Sequence, residues 1–242
     1  MDLKRTNDMS TVEGGGNVVT DGLVLYLDAA NPKSYVSGST TWVDMSNGGN
    51  NGTLLNGFLY SNTNKGELTF DGVNQWVTFQ NNPNLHFLGL QPYTLSVWTN
   101  ITSATSGIFH GLINREFGSP RNGYNLWFFR DPTVVAIASE RFGGTGQKVT
   151  FVLLPLDKCI GVWNQFTVTF DGLTLRFYLN GLLAHSAAAD GNITNTSGTL
   201  QIARRQTDFA NCKISNVLIY NKTLSQQEIL QNFNATRSRF GI

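Results

Sequence analysis

Carboxylates are the side chains in this sequence that could act as catalytic acids or bases, but their spacing argues against it. Hydrolysis of a glycosidic bond, for example, needs two carboxylates about 5–9.5 Å apart. The glutamates are scattered, with no two in one predicted strand: Glu13, Glu67, Glu116, Glu140 and Glu228. Glu67 and Asp71 share a predicted strand face, but four residues of strand span roughly 13 Å. The sequence therefore predicts no enzymatic activity.

Histidines and cysteines could serve as metal ligands or nucleophiles, but here they stand alone. His86, His110 and His185 have no cysteine or carboxylate at the spacing of a metal site or a catalytic triad. Cys159 and Cys212 are too few for a disulfide framework and also lack metal-ligand spacing. Two buried thiols are favoured, with a single disulfide as the alternative. No cofactor is expected from these residues.

The composition excludes several kinds of partner. Charged residues make up 14% of the chain and the formal net charge is +1, whereas an ordinary soluble domain has about 25% charged residues. So weak a charge provides no long-range field for collecting nucleic acid or an anionic membrane. The first residues lack the apolar segment of a signal peptide, and no window approaches the ~18 consecutive apolar residues of a membrane helix. We therefore expect a soluble protein made in the cytoplasm without a signal peptide.

Short apolar runs separated by turn residues indicate an all-β domain over residues 21–242. The clearest runs surround Asp171-Gly172 and Asn180-Gly181, where every second residue is apolar. Because both dipeptides favour type I′ turns, residues 167–183 predict a three-stranded meander. Asp71-Gly72 predicts a second hairpin with the same turn chemistry. Further predicted strands are Tyr93–Thr99, Gly107–Ile113, Tyr124–Phe129, Val134–Ser139, Lys148–Leu153, Leu200–Ala203 and Cys212–Tyr220.

The first 20 residues depart from this pattern. They contain Gly14-Gly15-Gly16 and little apolar periodicity, which predicts an extended N-terminal arm. Because the arm has no core of its own, we expect it to become ordered against a neighbouring subunit. Its candidate contact residues are the apolar Leu3, Val12 and Val18.

One short helix is predicted near the other end of the chain. Ser225 and Glu228 have the spacing of a capping box, and Leu224 and Ile229 occupy the positions of a hydrophobic staple. An apolar stripe follows along the predicted helix, made of Ile229, Leu230 and Phe233. Such a helix is expected to pack on the β domain rather than to recognise a ligand.

Five segments in a fixed order resemble a known family. They are Asp21–Asn31, Trp42 to Leu54, Thr69–Gly72, Trp163 to Gly181 and Ile214 to Ser225. Together they resemble the laminin-G-like branch of the concanavalin A-like lectin/glucanase superfamily over residues 21 to about 234. The opening string Leu25-Tyr26-Leu27-Asp28-Ala29 and the closing segment Arg237-Ser238-Arg239-Phe240-Gly241 are together similar to such domains in virion proteins of tailed bacteriophages.

The resemblance implies a two-sheet antiparallel jelly-roll sandwich, one sheet of which often binds glycan. It also makes calcium the one conceivable cofactor, with Asp71 and Asn74 as candidate ligands. Family members often carry an acidic residue in the hairpin after the Phe-Asp-Gly turn, where this chain has Asn74-Gln75. This departure weakens the case for calcium.

Glycan binding would use aromatic faces for stacking beside polar side chains that hydrogen-bond to hydroxyl groups. Two segments, 114–127 and 204–208, offer both kinds of side chain at predicted strand ends. The candidate glycan-binding residues are Arg115, Tyr124, Trp127, Arg205 and Asp208.

Three functions follow as hypotheses. The first is a non-enzymatic virion structural protein, most simply a capsid decoration or cement protein. It would be made in the host cytoplasm, would contact the major capsid protein or neighbouring subunits, and would form a homo-oligomer on the particle. The second is a carbohydrate-binding adhesion module of a tail, fibre or host-binding protein. The third is a glycan hydrolase, which the scattered glutamates disfavour.

Overall fold

Strands with one apolar face build two antiparallel sheets that enclose a single main core. The computed structural model describes residues 17–118, 121–143, 146–189, 192–194 and 197–242. Within a strand, successive side chains point to opposite faces, so alternate apolar residues meet in the core. Leu175 and Phe177 of the predicted meander, for instance, are both fully buried there. The predicted two-sheet sandwich is confirmed.

In chain order, the strands are β1 (Leu23–Asp28), β2 (Thr41–Trp42), β3 (Gly52–Leu55), β4 (Leu59–Ser61), β5 (Glu67–Asp71), β6 (Trp76–Thr78), β7 (Tyr93–Ser103), β8 (Phe109–Phe117), β9 (Asn122–Arg130), β10 (Val134–Gly143), β11 (Gly146–Pro155), β12 (Trp163–Phe170), β13 (Thr174–Leu179), β14 (Leu182–Ala188), β15 (Gln201–Ile202), β16 (Arg204–Arg205), β17 (Asp208–Phe209) and β18 (Asn211–Tyr220). The α-helices are α1 (Leu156–Cys159) and α2 (Gln226–Thr236). Short 3₁₀ turns occupy Thr63–Lys65, Pro83–Leu85 and Arg237–Phe240.

The strands divide into two large sheets and one small hairpin. The first sheet has the order β14-β13-β12-β7-β18-β5-β4, and β1 also pairs with β18. The second sheet has the order β11-β10-β9-β8-β15-β6-β3-β2. The β16–β17 hairpin belongs to neither sheet. Strands distant in sequence are therefore neighbours in both sheets, as β8 and β15 are.

The predicted meander is confirmed as β12, β13 and β14, but one of its turns differs from the prediction. Asn180 and Gly181 both have positive φ, as a type I′ turn requires. At the other turn only Gly172 has positive φ, so the predicted type I′ turn at Asp171-Gly172 is wrong. The reason is that the Asp171 carboxylate accepts hydrogen bonds from the backbone N–H groups of Leu173 and Thr174, which closes a longer loop.

The predicted C-terminal helix is α2, and its capping box is formed. The Ser225 hydroxyl accepts a hydrogen bond from the Glu228 backbone, and the Glu228 carboxylate accepts one from the Ser225 backbone. Ile229 and Phe233 are buried against the first sheet, on the face turned away from the core. Leu230 is 38% exposed, so it does not belong to the buried stripe as predicted. Within the described residues, no helix is both long and apolar enough to cross a membrane.

Residues 17–20 pack on the chain itself, which corrects the predicted extent of the arm. The Val19 backbone N–H donates to Asn232 of α2, and the Tyr220 hydroxyl donates to the Val19 carbonyl. Val18 packs against the apolar cluster that contains Val19, Tyr220 and Ile229. These residues therefore form part of the domain, and Val18 is used within the chain. Leu3 and Val12 lie outside the described residues.

Both cysteines are buried and free, as favoured from the sequence. Burial raises the pKa of each thiol, Cys159 and Cys212, to about 12. We therefore expect neither thiol of the folded protein to react with a chromogenic aromatic disulfide at mildly alkaline pH, because the thiolate is the reactive form. Both should react once the chain is unfolded in guanidinium chloride. Rapid release of one equivalent of chromophore from the folded protein would contradict this prediction.

Candidate functional site

A row of polar side chains crosses the second sheet on its outer face, the face turned away from the core. The strand register places one residue from each of seven adjacent strands side by side. In strand order this polar row consists of Thr41, Thr53, Thr78, Gln201, Asn114, Asn125 and Glu140. Their chain neighbours Trp42, Leu54, Val77 and Ile202 point inward and fill the core. The same alternation that builds the core thus builds the row.

One half of the polar row is open to solvent. Thr41 and Thr53 are exposed, and Thr78 and Gln201 are half-buried. With strands about 4.8 Å apart, the four residues span roughly 14 Å. A cleft of about 550 Å³ adjoins this open half and contains no charged side chain among its lining residues. Its lining is Thr41, Gly49, Asn50, Asn51, Thr53, Gln80, Asn81, Asn82 and Pro83.

An aromatic side chain flanks the open half. Trp76 lies two residues before Thr78 on β6, so it projects from the same face, and it is half-buried. The Arg204 guanidinium lies 4.3 Å from the centroid of the Trp76 ring, which is cation–π geometry. The open half therefore combines hydroxyl, amide, indole and guanidinium groups.

The β16–β17 hairpin covers the other half of the row. A Cβ at Gly111 would lie only 2.4 Å from the Arg204 carbonyl oxygen, so glycine at this position lets the hairpin rest on the sheet. Beneath the hairpin, Asn114, Asn125 and Glu140 are all buried. The closed half is thus part of the row by register but is not accessible in this structure.

Two glutamates meet beneath the hairpin, around the Arg205 guanidinium. Arg205 Nε lies 3.1 Å from Glu116 Oε2, and Arg205 Nη2 lies 3.2 Å from Glu140 Oε2. The Asn125 amide donates to the same two oxygens, at 3.0 and 3.2 Å. Side-chain exposure is 6% or less for all three charged groups. Sequence reasoning missed this cluster because it compared glutamates only within one strand, whereas β8 and β10 are joined through β9.

The structure brings three of the predicted glycan-binding residues to the outer face. Arg205 and Asp208 are opposite each other in the hairpin, and Asp208 is half-buried. Trp127 is only 6% exposed, because the Phe109 ring and the Arg205 guanidinium cover it. Trp127 therefore supports the hairpin and presents little ring surface to a ligand.

The other two predicted residues, Arg115 and Tyr124, lie on the inner face. Tyr124 is fully buried, and its hydroxyl donates to the Leu85 carbonyl at 2.8 Å. Burial raises the pKa of Tyr124 and lowers the pKa of Arg115. Neither side chain can reach a ligand on the outer face, so their prediction as glycan contacts is corrected here.

The candidate calcium ligands serve to close a turn. Asp71 Oδ1 accepts hydrogen bonds from the backbone N–H groups of Val73 and Asn74, and the Asn74 carbonyl accepts one from the Asn56 amide. Calcium takes six to eight oxygen ligands, and no cluster of three or more acidic, histidine or cysteine side chains occurs among the described residues. Asp71 and Asn74 alone do not fit a calcium site, and calcium at this turn stays a prediction from the resemblance.

Solved structures with the same fold include binding domains of clostridial toxins. The binding domain of Paraclostridial Mosquitocidal Protein 1 has a TM-score of 0.69 and 17% identity, over 89% of this chain and 52% of that one. The binding domain of botulinum neurotoxin DC, in complex with rat synaptotagmin II, has a TM-score of 0.69 and 14% identity over 90% and 52%. The same domain in complex with SialylT has 15% identity with the same TM-score and coverage. The chain thus spans about half the length of these structures, and the likeness shows the fold.

Comparison with curated protein sequences finds no match. The sequence profile described as "Concanavalin A-like lectin/glucanases superfamily" matches residues 70–230. This range includes the meander, most of both sheets and the first part of α2. The chain belongs to the concanavalin A-like lectin/glucanases superfamily.

Proposed function

We propose that this chain is a non-catalytic carbohydrate-binding module, and that it binds a neutral glycan along the open half of the polar row. The observation that carries the proposal is the row itself, where Thr41, Thr53, Thr78 and Gln201 lie side by side on four adjacent strands. Hydroxyl and amide groups can both donate to and accept from sugar hydroxyls. A floor roughly 14 Å long suits several linked sugar rings better than one monosaccharide.

The surroundings of the open half favour a neutral ligand. The adjoining cleft is lined by amides, hydroxyls, glycine and proline, with no charged side chain. Trp76 supplies an apolar ring beside the row, which suits the apolar face of a sugar. The guanidinium of Arg204 stacks on Trp76, and its Nε donates to the Gln206 carbonyl. Arg204 therefore holds the indole in place in this proposal.

The ion pairs formed by the described glutamates support binding without hydrolysis. Glu116 and Glu140 pair with Arg205, Glu67 pairs with Lys213, and Glu228 pairs with Lys222. A catalytic carboxylate must be able to reach the bond that is cleaved, whereas each of these carboxylates is held by a basic side chain of the chain itself. The described glutamates are therefore better suited to holding the fold than to cleaving a glycosidic bond.

The named structural neighbours are consistent with a binding role. They are called binding domains, and the neurotoxin domain was solved both with rat synaptotagmin II and with SialylT. A lectin-like sandwich can thus be part of a protein that binds other molecules. What this chain itself binds is a proposal.

A place on a virion stays a prediction, based on the resemblance of the tail Arg237-Ser238-Arg239-Phe240-Gly241 to those of phage virion proteins. In that setting the glycan-binding face would decorate a capsid or tail, and copies would associate on the particle. Electron microscopy of particles with a labelled copy tests this location. Particles that carry no label, with all labelled protein free in solution, would contradict a place on the virion.

A glycan array that presents neutral and acidic oligosaccharides tests the proposed function. The parent chain should bind neutral oligosaccharides of two or more rings, with weaker binding to the matching monosaccharides. Binding confined to sialylated or sulfated glycans would contradict the neutral assignment. Absence of binding to every glycan presented would contradict the proposed function.

A further inference from the structure

We propose that the first sheet carries a second glycan-binding site, which the chain's own C-terminal tail closes. The tail means residues 237–242, which follow α2. This site lies on the opposite sheet from the polar row and does not depend on the function proposed above. Its ligand class is a neutral sugar, bound between two tryptophan rings and two side-chain amides.

The floor of the closed site is a row of side chains on the outer face of the first sheet. The register places Gln165 of β12 beside Trp98 of β7, and Trp98 beside Asn216 of β18. Asp28 of β1 ends the row next to Asn216. Trp163 lies two residues before Gln165 on the same strand and therefore projects from the same face.

The two amides of this row are buried without hydrogen-bond partners. Gln165 and Asn216 are each 1% exposed, and neither the nitrogen nor the oxygen of either side-chain amide has a partner. A buried polar atom without a partner is unfavourable, and nearly all such atoms in folded proteins are paired. Four unpaired polar atoms around one tryptophan therefore point to a ligand that can both donate and accept hydrogen bonds.

The tail covers this floor through two contacts. The Phe240 ring stacks at 4.3 Å from the Trp98 centroid and 4.5 Å from the Trp163 centroid. The Arg239 guanidinium forms a bidentate ion pair with the Asp28 carboxylate, at 2.7 and 2.8 Å. Because Asp28 and Trp98 stand on either side of Asn216, the tail must pass over that amide.

In this proposal the tail leaves its position while the core stays intact. It follows the last residue of α2, Thr236, whose hydroxyl oxygen accepts a hydrogen bond from Trp98 Nε1–H. Gly241 and Ile242, which follow Phe240, are exposed. Lifting the tail would break the Arg239–Asp28 ion pair, both ring contacts of Phe240 and the contact of Arg237 with the Phe233 ring, while the strands keep their pairing.

The opened site would have the chemistry that a sugar ring needs. Phe233 of α2 would stay stacked on Trp98, at 5.5 Å between ring centroids. The surfaces that Phe240 now covers, one on Trp98 and one on Trp163, would become available for stacking. The amides of Gln165 and Asn216 would gain partners among the sugar hydroxyls, and the Asp28 carboxylate could accept one more. Phe240 in this view occupies the place of the sugar ring.

The test compares four forms of the full chain on a glycan array of neutral oligosaccharides: the parent, F240A, F240A/N216A and F240A/W76A. F240A should bind at least one neutral glycan at least tenfold more tightly than the parent does. This gain should persist in F240A/W76A, which damages the polar-row site, and should be lost in F240A/N216A. Thermal unfolding of each variant verifies the fold, and F240L replaces F240A if the alanine variant does not fold.

Three results would overturn the proposal. One is that F240A binds the glycans of the array with the same affinities as the parent. Another is a gain that disappears with W76A, because the gain would then belong to the polar row. The third is that F240A binds a synthetic peptide with the tail sequence but binds no sugar. The site would then be a peptide-binding site. Failure of the polar-row site alone would leave the gain in F240A intact.

Discussion

Replacing Arg205 with methionine should lower the free energy of unfolding by about 3–5 kcal/mol, the usual cost of removing one partner from a buried ion pair. The guanidinium lies between Glu116 and Glu140, and the side chains of all three residues are almost fully buried. Without it, two carboxylates would remain next to each other in the protein interior, with half-exposed Arg121, 3.1 Å from Glu116, as the remaining cation beside them. Urea unfolding of the parent and of R205M measures the difference.

Two further variants make this experiment specific. R204M changes the adjacent arginine, which stacks on half-exposed Trp76, and should cost less than about 1 kcal/mol. The triple variant R205M/E116Q/E140Q removes all three charges together and should recover most of the stability lost in R205M. A loss below about 1 kcal/mol in R205M, or no recovery in the triple variant, would contradict the structural role assigned to the cluster.

Replacing Trp76 with alanine should weaken binding of a neutral oligosaccharide by about tenfold, which corresponds to about 1.4 kcal/mol. The expected cause is the loss of the aromatic ring beside Thr78 and Gln201. Q201A should weaken binding by about threefold to tenfold, the effect of losing one or two hydrogen bonds. Calorimetric titration with the strongest ligand from the array measures both effects.

Y124F is the matched control for these variants. Tyr124 was a sequence-based candidate for glycan binding, but its side chain is buried on the inner face. Its replacement should leave the dissociation constant unchanged, although the hydrogen bond to the Leu85 carbonyl is lost. A larger loss of affinity in Y124F than in W76A would show that the ligand binds elsewhere.

The positions of the longer strands could be predicted from the sequence, because turn dipeptides and alternating apolar residues mark them locally. The hairpin predicted at Asp71-Gly72 is wrong, since β5 and β6 belong to different sheets. Which residues of β9 face the core could not be predicted from the sequence. Leu126, Trp127, Phe128 and Phe129 are all apolar or aromatic, so the alternation does not say which pair faces the core. The structure places Leu126 and Phe128 inside.

On β8 a register irregularity near Gly111 and Ile113 adds a second difficulty. It shifts the alternation by one residue, so Asn114 and Glu116 face outward and Arg115 faces inward. A one-residue shift exchanges the two faces of a strand, and no local sequence signal announces this one. The prediction that Arg115 would contact a glycan came from its place beyond the end of a predicted strand, where the sequence does not show which face the side chain occupies.

The polar row itself could not be predicted because it is assembled from distant parts of the chain. Thr41 and Gln201 are separated by most of the sequence, yet only β3 and β6 lie between their strands. Each residue alone is an ordinary polar residue on a strand, and only the strand order brings them together. The low charge content, 14%, fits such a surface, since hydroxyls and amides make it polar without charge.

Hydrogen–deuterium exchange of the parent chain, with and without the strongest neutral glycan from the array, tests the central claim most directly. Amide protection on binding should concentrate in β3, β6 and β15 and in the cleft segments 49–51 and 80–83, which border the open half of the polar row. Protection confined to the first sheet, or to β9, β10 and β11, would show that the glycan does not bind there.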